Sequence, residues 1–245
     1  LYLMQVKELP KIFALLKIFE EKEHAEYFMT GGLFMNTIRS FKEYKDEKGE
    51  LRGDEYEGIV ALYQPGKLSE IKIGEHTIPA SELAAPIVVH SENLLSQNVL
   101  CIYSLNSLGY DAISSETLLD FKRTIQLHES CFGLGKFCVV ILNAQRFIQK
   151  CKSAAQTLGF DGSLGLVDYF DEHQFHGSMP ESRLGYQKRS LFSHQREYRL
   201  KIDTKSKVPA PYFLNIGCLR DIAVLTTPEE FNSQLEIKLP DGSRA

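Results

Sequence analysis

The chain has no excess of positive charge: 28 Lys and Arg stand against 32 Asp and Glu, a formal net charge of −4. Proteins that hold duplex nucleic acid by displacing counterions carry the opposite balance, so the charge argues against that mode of binding and leaves room for a local basic face. Long apolar runs are missing too. The longest, residues 84–90 and 137–142, fall far short of the roughly 20 residues a helix needs to cross a bilayer, so no membrane partner is expected. The five cysteines, Cys101, Cys131, Cys138, Cys151 and Cys218, include no CxxC pair, which removes the usual spacing of a zinc site. HExxH, GxSxG, the phosphate-cradling P-loop and the glycine fingerprint of dinucleotide-binding folds are also absent. No fixed-period repeat is present. The opening residues Leu1 to Lys7 do not follow the basic, apolar, small-residue order of a secretory signal, and a cytoplasmic location is the expectation.

What is present suits one large core. With 43% of 245 residues hydrophobic, the chain is expected to form a single domain spanning residues 1–245. Cys101, Cys131, Cys138 and Cys218 lie in apolar settings, where thiols pack as small inert side chains.

Along the chain, Ile12, Phe13, Leu15, Leu16, Ile18 and Phe19 followed by a charged stretch predict an amphipathic helix over residues 9–28. Gly31-Gly32 breaks it, either as a helix cap or as a ligand-lining turn. A strand over 33–37, a short helix over 38–44 and a charged loop over 45–57 come next. Short β-type runs at 59–63, 70–73 and 87–89, separated by glycine and proline, predict a small antiparallel sheet or hairpin. A strand over 99–103, a helix over 115–129, a strand over 136–143 and a helix over 144–156 follow. Residues 164–170 form another strand candidate, and 173–185 a polar, mobile loop too poor in apolar residues to join the core. Strands over 192–202 and 218–225 and a helix beginning at Pro228 complete the order. Strand and helix alternate too irregularly for a doubly wound sheet, which leaves α+β: a mixed or antiparallel central sheet flanked by helices.

The segment Lys188-Arg189-Ser190-Leu191-Phe192-Ser193-His194-Gln195-Arg196-Glu197-Tyr198-Arg199-Leu200-Lys201-Ile202 carries the most chemistry. As a strand after Phe192, its two-residue period puts Tyr198, Leu200 and Ile202 with Arg196 on one face, and Gln195, Glu197, Arg199 and Lys201 on the other. The polar face is either half-solvated, with a Glu–Arg pair of little energetic worth, or a site that binds an anionic ligand while Glu197 orients a hydroxyl or stabilises positive charge. A second cluster, Asn36, Arg39, Arg52, Asp54 and Glu57, follows the glycine pair. Its acidic triplet Asp54, Glu55 and Glu57 lacks the spacing of a calcium loop.

Three blocks, taken together, resemble a known group. They are Phe28-Met29-Thr30-Gly31-Gly32-Leu33-Phe34-Met35-Asn36-Thr37 with Arg52-Gly53-Asp54-Glu55-Tyr56-Glu57-Gly58; Asn98-Val99-Leu100-Cys101-Ile102-Tyr103; and Lys188-Arg189 with Phe192-Ser193-His194-Gln195-Arg196-Glu197-Tyr198-Arg199. Their order is similar to that in a group of uncharacterised bacterial proteins and to diverged ADP-ribosyltransferases of the DNA- or RNA-modifying toxin type. The resemblance implies a split-sheet core and NAD as substrate. It also implies a nucleic acid or protein acceptor, a role in a toxin or phage-defence system, and a cognate antitoxin. Glu197 matches the late-strand glutamate that contacts the nicotinamide ribose. Asn36, Arg39, Arg52, Gln195 and Arg199 would then line the dinucleotide, and Lys188, Arg189 and His194 the acceptor.

Two other readings stay open. One is a metal-dependent nuclease with Asp54, Glu57 and Glu197 as cation ligands and Arg199 or Lys201 near the scissile phosphate. The other is a non-enzymatic module whose basic face over 183–201 meets an acidic partner.

Overall fold

In the computed structural model, which describes residues 10–45 and 52–245, the first apolar run is extended. It forms strand β1 (Ile12–Phe19), and only the charged half of the expected helix is helical, as α1 (Lys22–Met29). Leu9 lies outside the described residues. The reason for the difference is that β1 has a neighbour along each edge, and Leu15 and Leu16 are both fully buried. A strand covered on both faces loses its alternation and becomes hard to tell from a buried helix by period. Gly31 ends α1: its N–H meets the Phe28 carbonyl at φ +100°, and a Cβ there would lie 2.2 Å from the Gly217 carbonyl oxygen.

The next elements are β2 (Gly32–Thr37), α2 (Ile38–Glu43), β3 (Ile59–Tyr63), β4 (Glu70–Ile73), β5 (His76–Pro79) and β6 (Ile87–His90). They are followed by α3 (Glu92–Ser96), β7 (Asn98–Asn106), α4 (Leu118–Ile125), β8 (Phe137–Ile141) and α5 (Ala144–Thr157). The last are β9 (Asp161–Leu166), β10 (Asp168–Phe170), β11 (Gly177–Ser178), β12 (Gln187–Arg189), β13 (Glu197–Asp203), β14 (Tyr212–Asn215), β15 (Ala223–Thr226) and α6 (Pro228–Gln234). The architecture is α+β with mostly antiparallel sheets. No described helix is long and apolar enough to cross a membrane.

The residues group into two units. The first holds residues 10–31, Ile102–Lys150 and Gly217–Ala245. Here β1 pairs antiparallel with the later part of β7 and with β8, and β8 pairs in turn with β15. Its core is apolar: Leu16, Tyr103, Leu105, Leu127, Cys131, Cys138 and Val140 pack together. α4 turns Leu118, Phe121 and Ile125 inward, and α6 opens with Pro228 under a capping box formed by Thr227 and Glu230.

The second unit holds Gly32–Cys101 and Cys151–Ile216. β14 pairs with β2, and β2 with the start of β7. β13 pairs with β9 along Tyr198 to Asp203 and also with β7. β3 lies between β11 and β6, β4 and β5 form a hairpin, and β10 runs parallel to β12. Neither β12 nor β14 is foreseen by the sequence pattern, because each is short and lacks a long apolar run. The polar stretch over 173–185 is not a loose loop. Gln64 Nε2 donates to the Glu172 and Phe175 carbonyls, Lys67 donates to the Gln174 carbonyl, and Met179 is buried against Ile59 and Leu62.

The late strand is shorter than its pattern implies. Ser190–Gln195 forms a 3-10 turn, and Arg196 takes a left-handed backbone at φ +41° before the strand begins at Glu197. Arg196 therefore does not continue the Tyr198 face. Likewise, 218–225 is extended only at β15, and Cys218 is exposed although its apolar neighbours suggest burial. Cys131, Cys138 and Cys151 are buried, and burial pushes the thiols of Cys138 and Cys151 up to about 12, which suits inert core thiols.

Candidate functional site

The polar face of β13 is buried. Arg199 is 1% exposed and Glu197 6%, so the half-solvated alternative does not hold. Alternation puts Glu197 and Arg199 on the same side of the strand, and charges withdrawn from water require partners. Those partners come from two other segments of the same unit.

The first is the turn before β3. Asp54 N–H is held by the Phe41 carbonyl, Tyr56 N–H bonds Asp54 Oδ1 at 3.0 Å, and Glu57 N–H returns to the Asp54 carbonyl at 2.9 Å. The chain leaves through Gly58 at φ +72°, where a Cβ would stand 2.7 Å from Leu95 Cδ2. Only glycine fits that exit. The turn delivers Glu57 to Arg199, whose Nη1 donates to Oε2 at 2.9 Å and whose Nη2 donates to Oε1. Arg199 Nη1 also reaches the Gly185 carbonyl at 3.0 Å.

The second is β12. Lys188 Nζ, 2% exposed as a residue, donates to Glu197 Oε1 at 2.5 Å and to Gln195 Oε1 at 2.6 Å. Arg199 Nε completes the grip on Glu197 by donating to Oε2 at 2.9 Å. The next residue, Arg189, faces the other way. Its Nε donates to Asp54 Oδ1 at 2.7 Å, and its guanidinium lies over the rings of Tyr56 and Phe192.

Electrostatics follow from this geometry. Burial alone would push the Glu197 carboxyl up, but Lys188 and Arg199 outweigh it and hold the group well below the usual carboxylate range. Lys188 is raised: Glu197 and Glu57 overcome the burial that would lower it. Burial dominates at Glu57 and lifts it despite Arg199. Cys101 is pushed up to about 12, by burial first and then by Glu197, so it is a protonated thiol and not a nucleophile. Lys201 is lowered by burial and by Arg199; it donates to the Leu184 carbonyl at 2.7 Å.

Of the residues singled out by sequence, Glu57, Lys188, Gln195, Glu197 and Arg199 thus meet in one cluster, and Asp54 meets Arg189 beside it. Others are engaged elsewhere. Arg39 pairs with Glu92 and Glu43, Asn36 Oδ1 accepts the Thr37 N–H, and His194 Nδ1 lies 3.1 Å from the Leu191 carbonyl oxygen. Arg52 is exposed. Tyr169 is a further member that sequence reasoning does not single out: its hydroxyl accepts the Glu197 backbone N–H at 2.9 Å. No local pattern links residues 169 and 197; β10 follows directly on β9, whose ladder with β13 ends beside it, where the Val167 N–H donates to the Glu197 carbonyl at 2.9 Å.

The carboxylates face cations, not an open coordination sphere. Among the described residues, no group of three or more His, Cys, Asp or Glu side chains is arranged to hold a metal ion, and the Lys188 and Arg189 charges are already matched by acidic partners. Compared with protein-family models, with curated proteins and with solved structures, the chain matches none.

Proposed function

We propose that this chain is an NAD-consuming, ADP-ribosyltransferase-like effector with a split-sheet core, in which Glu197 is the carboxylate that meets positive charge at the reacting sugar. One observation above all supports the reading: Glu197 is buried, yet Lys188 and Arg199 keep it ionised. In such a transfer the bond between nicotinamide and the ribose carbon breaks, its electron pair leaves with nicotinamide, and the sugar becomes cation-like before the acceptor adds. A preoriented carboxylate that Lys188 and Arg199 hold ionised stabilises that state without a proton transfer.

The cluster is costly to fold and no firmer than a well-packed apolar one, which suits a role beyond holding the strand in place. Arg196, in its left-handed conformation next to Glu197, adds local strain at the same point. Of the NAD-side residues, Arg199 touches the carboxylate and Gln195 shares the Lys188 ammonium with it; Asn36 and Arg39, engaged elsewhere, take no step in this reading. The acceptor is a nucleic acid or a protein.

Purified protein incubated with NAD, alone and with nucleic acid, is expected to release nicotinamide. Glu197→Gln should slow that release by about 10²–10³-fold, the range for removing one preoriented electrostatic group. Wild-type protein that neither binds nor cleaves NAD, with Glu197→Gln indistinguishable from it, would sink the reading.

A further inference from the structure

Three segments meet at the cluster around Glu197, and two of them have little support of their own. β12 is three residues long and, among the described residues, has a strand along one edge only, β10. Glu57 lies in a turn and on no strand. Yet both must hold buried charge in place: Lys188 Nζ stands 2.5 Å from Glu197 Oε1 and 4.0 Å from Glu57 Oε1. A buried ion that drifts from its partner is strongly destabilised, so something has to fix the two segments against each other.

Asp54 joins them. Its side chain is fully buried. On the turn side Oδ1 accepts the Tyr56 N–H at 3.0 Å, and the Asp54 carbonyl accepts the Glu57 N–H at 2.9 Å. On the β12 side Oδ1 accepts Arg189 Nε at 2.7 Å, and Oδ2 accepts the Arg189 backbone N–H at 3.2 Å. One carboxylate thus grips both the main chain and the side chain of the residue after Lys188. Strand alternation then sends Lys188 the opposite way, toward Glu197. The hydrogen bonds of the Asp54 carboxylate go to Tyr56 and Arg189, so its influence on Glu197 passes through Lys188 and Glu57.

We infer that Asp54 is a positioning residue: by gripping β12 at Arg189 and closing the turn that carries Glu57, it holds Lys188 on Glu197. This rests on the reading of Glu197 as the reacting carboxylate and adds to it the group that keeps that carboxylate's cation in place.

Asp54→Asn tests it, because the variant keeps the volume but exchanges one acceptor oxygen for a donor. Whichever way the amide turns, its NH2 meets either the Arg189 N–H or the Tyr56 N–H and Arg189 Nε. The first readout needs no ligand: exchange of the Lys188 Nζ hydrogens with water, followed by NMR on a signal assigned by its loss in Lys188→Arg. Asp54→Asn is expected to speed that exchange at least about tenfold, as a loosened β12 opens to water more often. The second readout is nicotinamide release. Asp54→Asn should lower kcat about tenfold and leave KM within about twofold, the pattern of a group that acts on the transition state alone. Added to Glu197→Gln it should slow release no further, since its effect passes through that carboxylate. If Asp54→Asn does not fold, the pair Asp54→Asn with Arg189→Gln leaves no ion unpaired and is read in the same way. Unchanged Lys188 exchange would overturn the inference, as would equal slowing in the wild-type and Glu197→Gln backgrounds, the mark of a merely structural role. Wild type that releases no nicotinamide would overturn the reading of Glu197, while Lys188 exchange, measured without NAD, still decides whether Asp54 holds the cluster.

Discussion

The two units bury different things. Around β1 and β8 the first unit hides Leu16, Leu105, Leu127, Cys138 and Val140, side chains that gain by leaving water and ask for no partner. The second unit contains every charged residue found buried among the described residues: Asp54, Glu57, Lys188, Glu197 and Arg199. Burying ions costs several kcal/mol each unless they are paired and hydrogen-bonded, and a paired cluster rarely outdoes an apolar core of equal volume. The first core therefore needs only folding to explain it. The second needs a further reason, and the proposed chemistry at Glu197 supplies one.

Substitution should break the contrast most visibly. Leu16→Ala in the first core is expected to cost about 2–5 kcal/mol through lost burial and a cavity. Arg199→Met should cost a similar amount, about 3–5 kcal/mol, for the opposite reason: it leaves two buried carboxylates, Glu57 and Glu197, with Lys188 as the one cation between them. The discriminating variant replaces Glu57, Lys188, Glu197 and Arg199 together with apolar side chains. Urea unfolding of that variant should return close to wild-type stability while nicotinamide release is lost; a fold that collapses would mean the charges are structural after all.

Acid should sharpen the same contrast by a smaller amount. Glu197 is depressed in the folded protein, so its contribution is present above the unfolded value of about 4.3 and is lost as pH falls through the folded value. Glu57 is raised and works the other way, favouring the folded state as it takes up a proton, so it offsets part of the loss. Hydrogen exchange, corrected for intrinsic rates, is expected to show β13 beginning to lose protection as pH falls through the unfolded glutamate value of about 4.3 and losing more of it toward the depressed folded value, while β8 keeps it. Equal loss in both strands would remove the distinction.

The smallest expected effect is at Arg196. A non-glycine residue in the left-handed region costs about 1 kcal/mol, so Arg196→Gly should raise the melting temperature slightly, offset in part by the greater freedom of the unfolded chain. A fall in melting temperature would show that the arginine's side chain matters more than its backbone.

Much of this was legible in residue order, but unevenly. The alternation after Gln195 reveals β13 and which residues share its polar side, because period survives when one face differs chemically from the other. It does not reveal burial: the ions that neutralise Glu197 and Arg199 come from Lys188 on β12 and from Glu57, far upstream, and no local pattern encodes that meeting. β1 was obscured for the reason opposite to β13, since apolar residues on both faces erase the period. The short β14 is mostly apolar (Tyr212, Phe213, Leu214), but at four residues it is too brief to show a period and is defined by its pairing with β2. Asp54 and Glu57 read as a charged loop, and the turn geometry that turns them inward rests on Gly58.

The β4–β5 hairpin has a practical consequence. Gly74, at its tip, has no atom within 4 Å of the position a side chain would take, and its neighbour Ile73 is largely exposed. An inserted peptide tag or a dye attached there would extend into solvent. The protein can thus be captured or followed by fluorescence through this projection while Glu57, Lys188, Glu197 and Arg199 remain as folding left them.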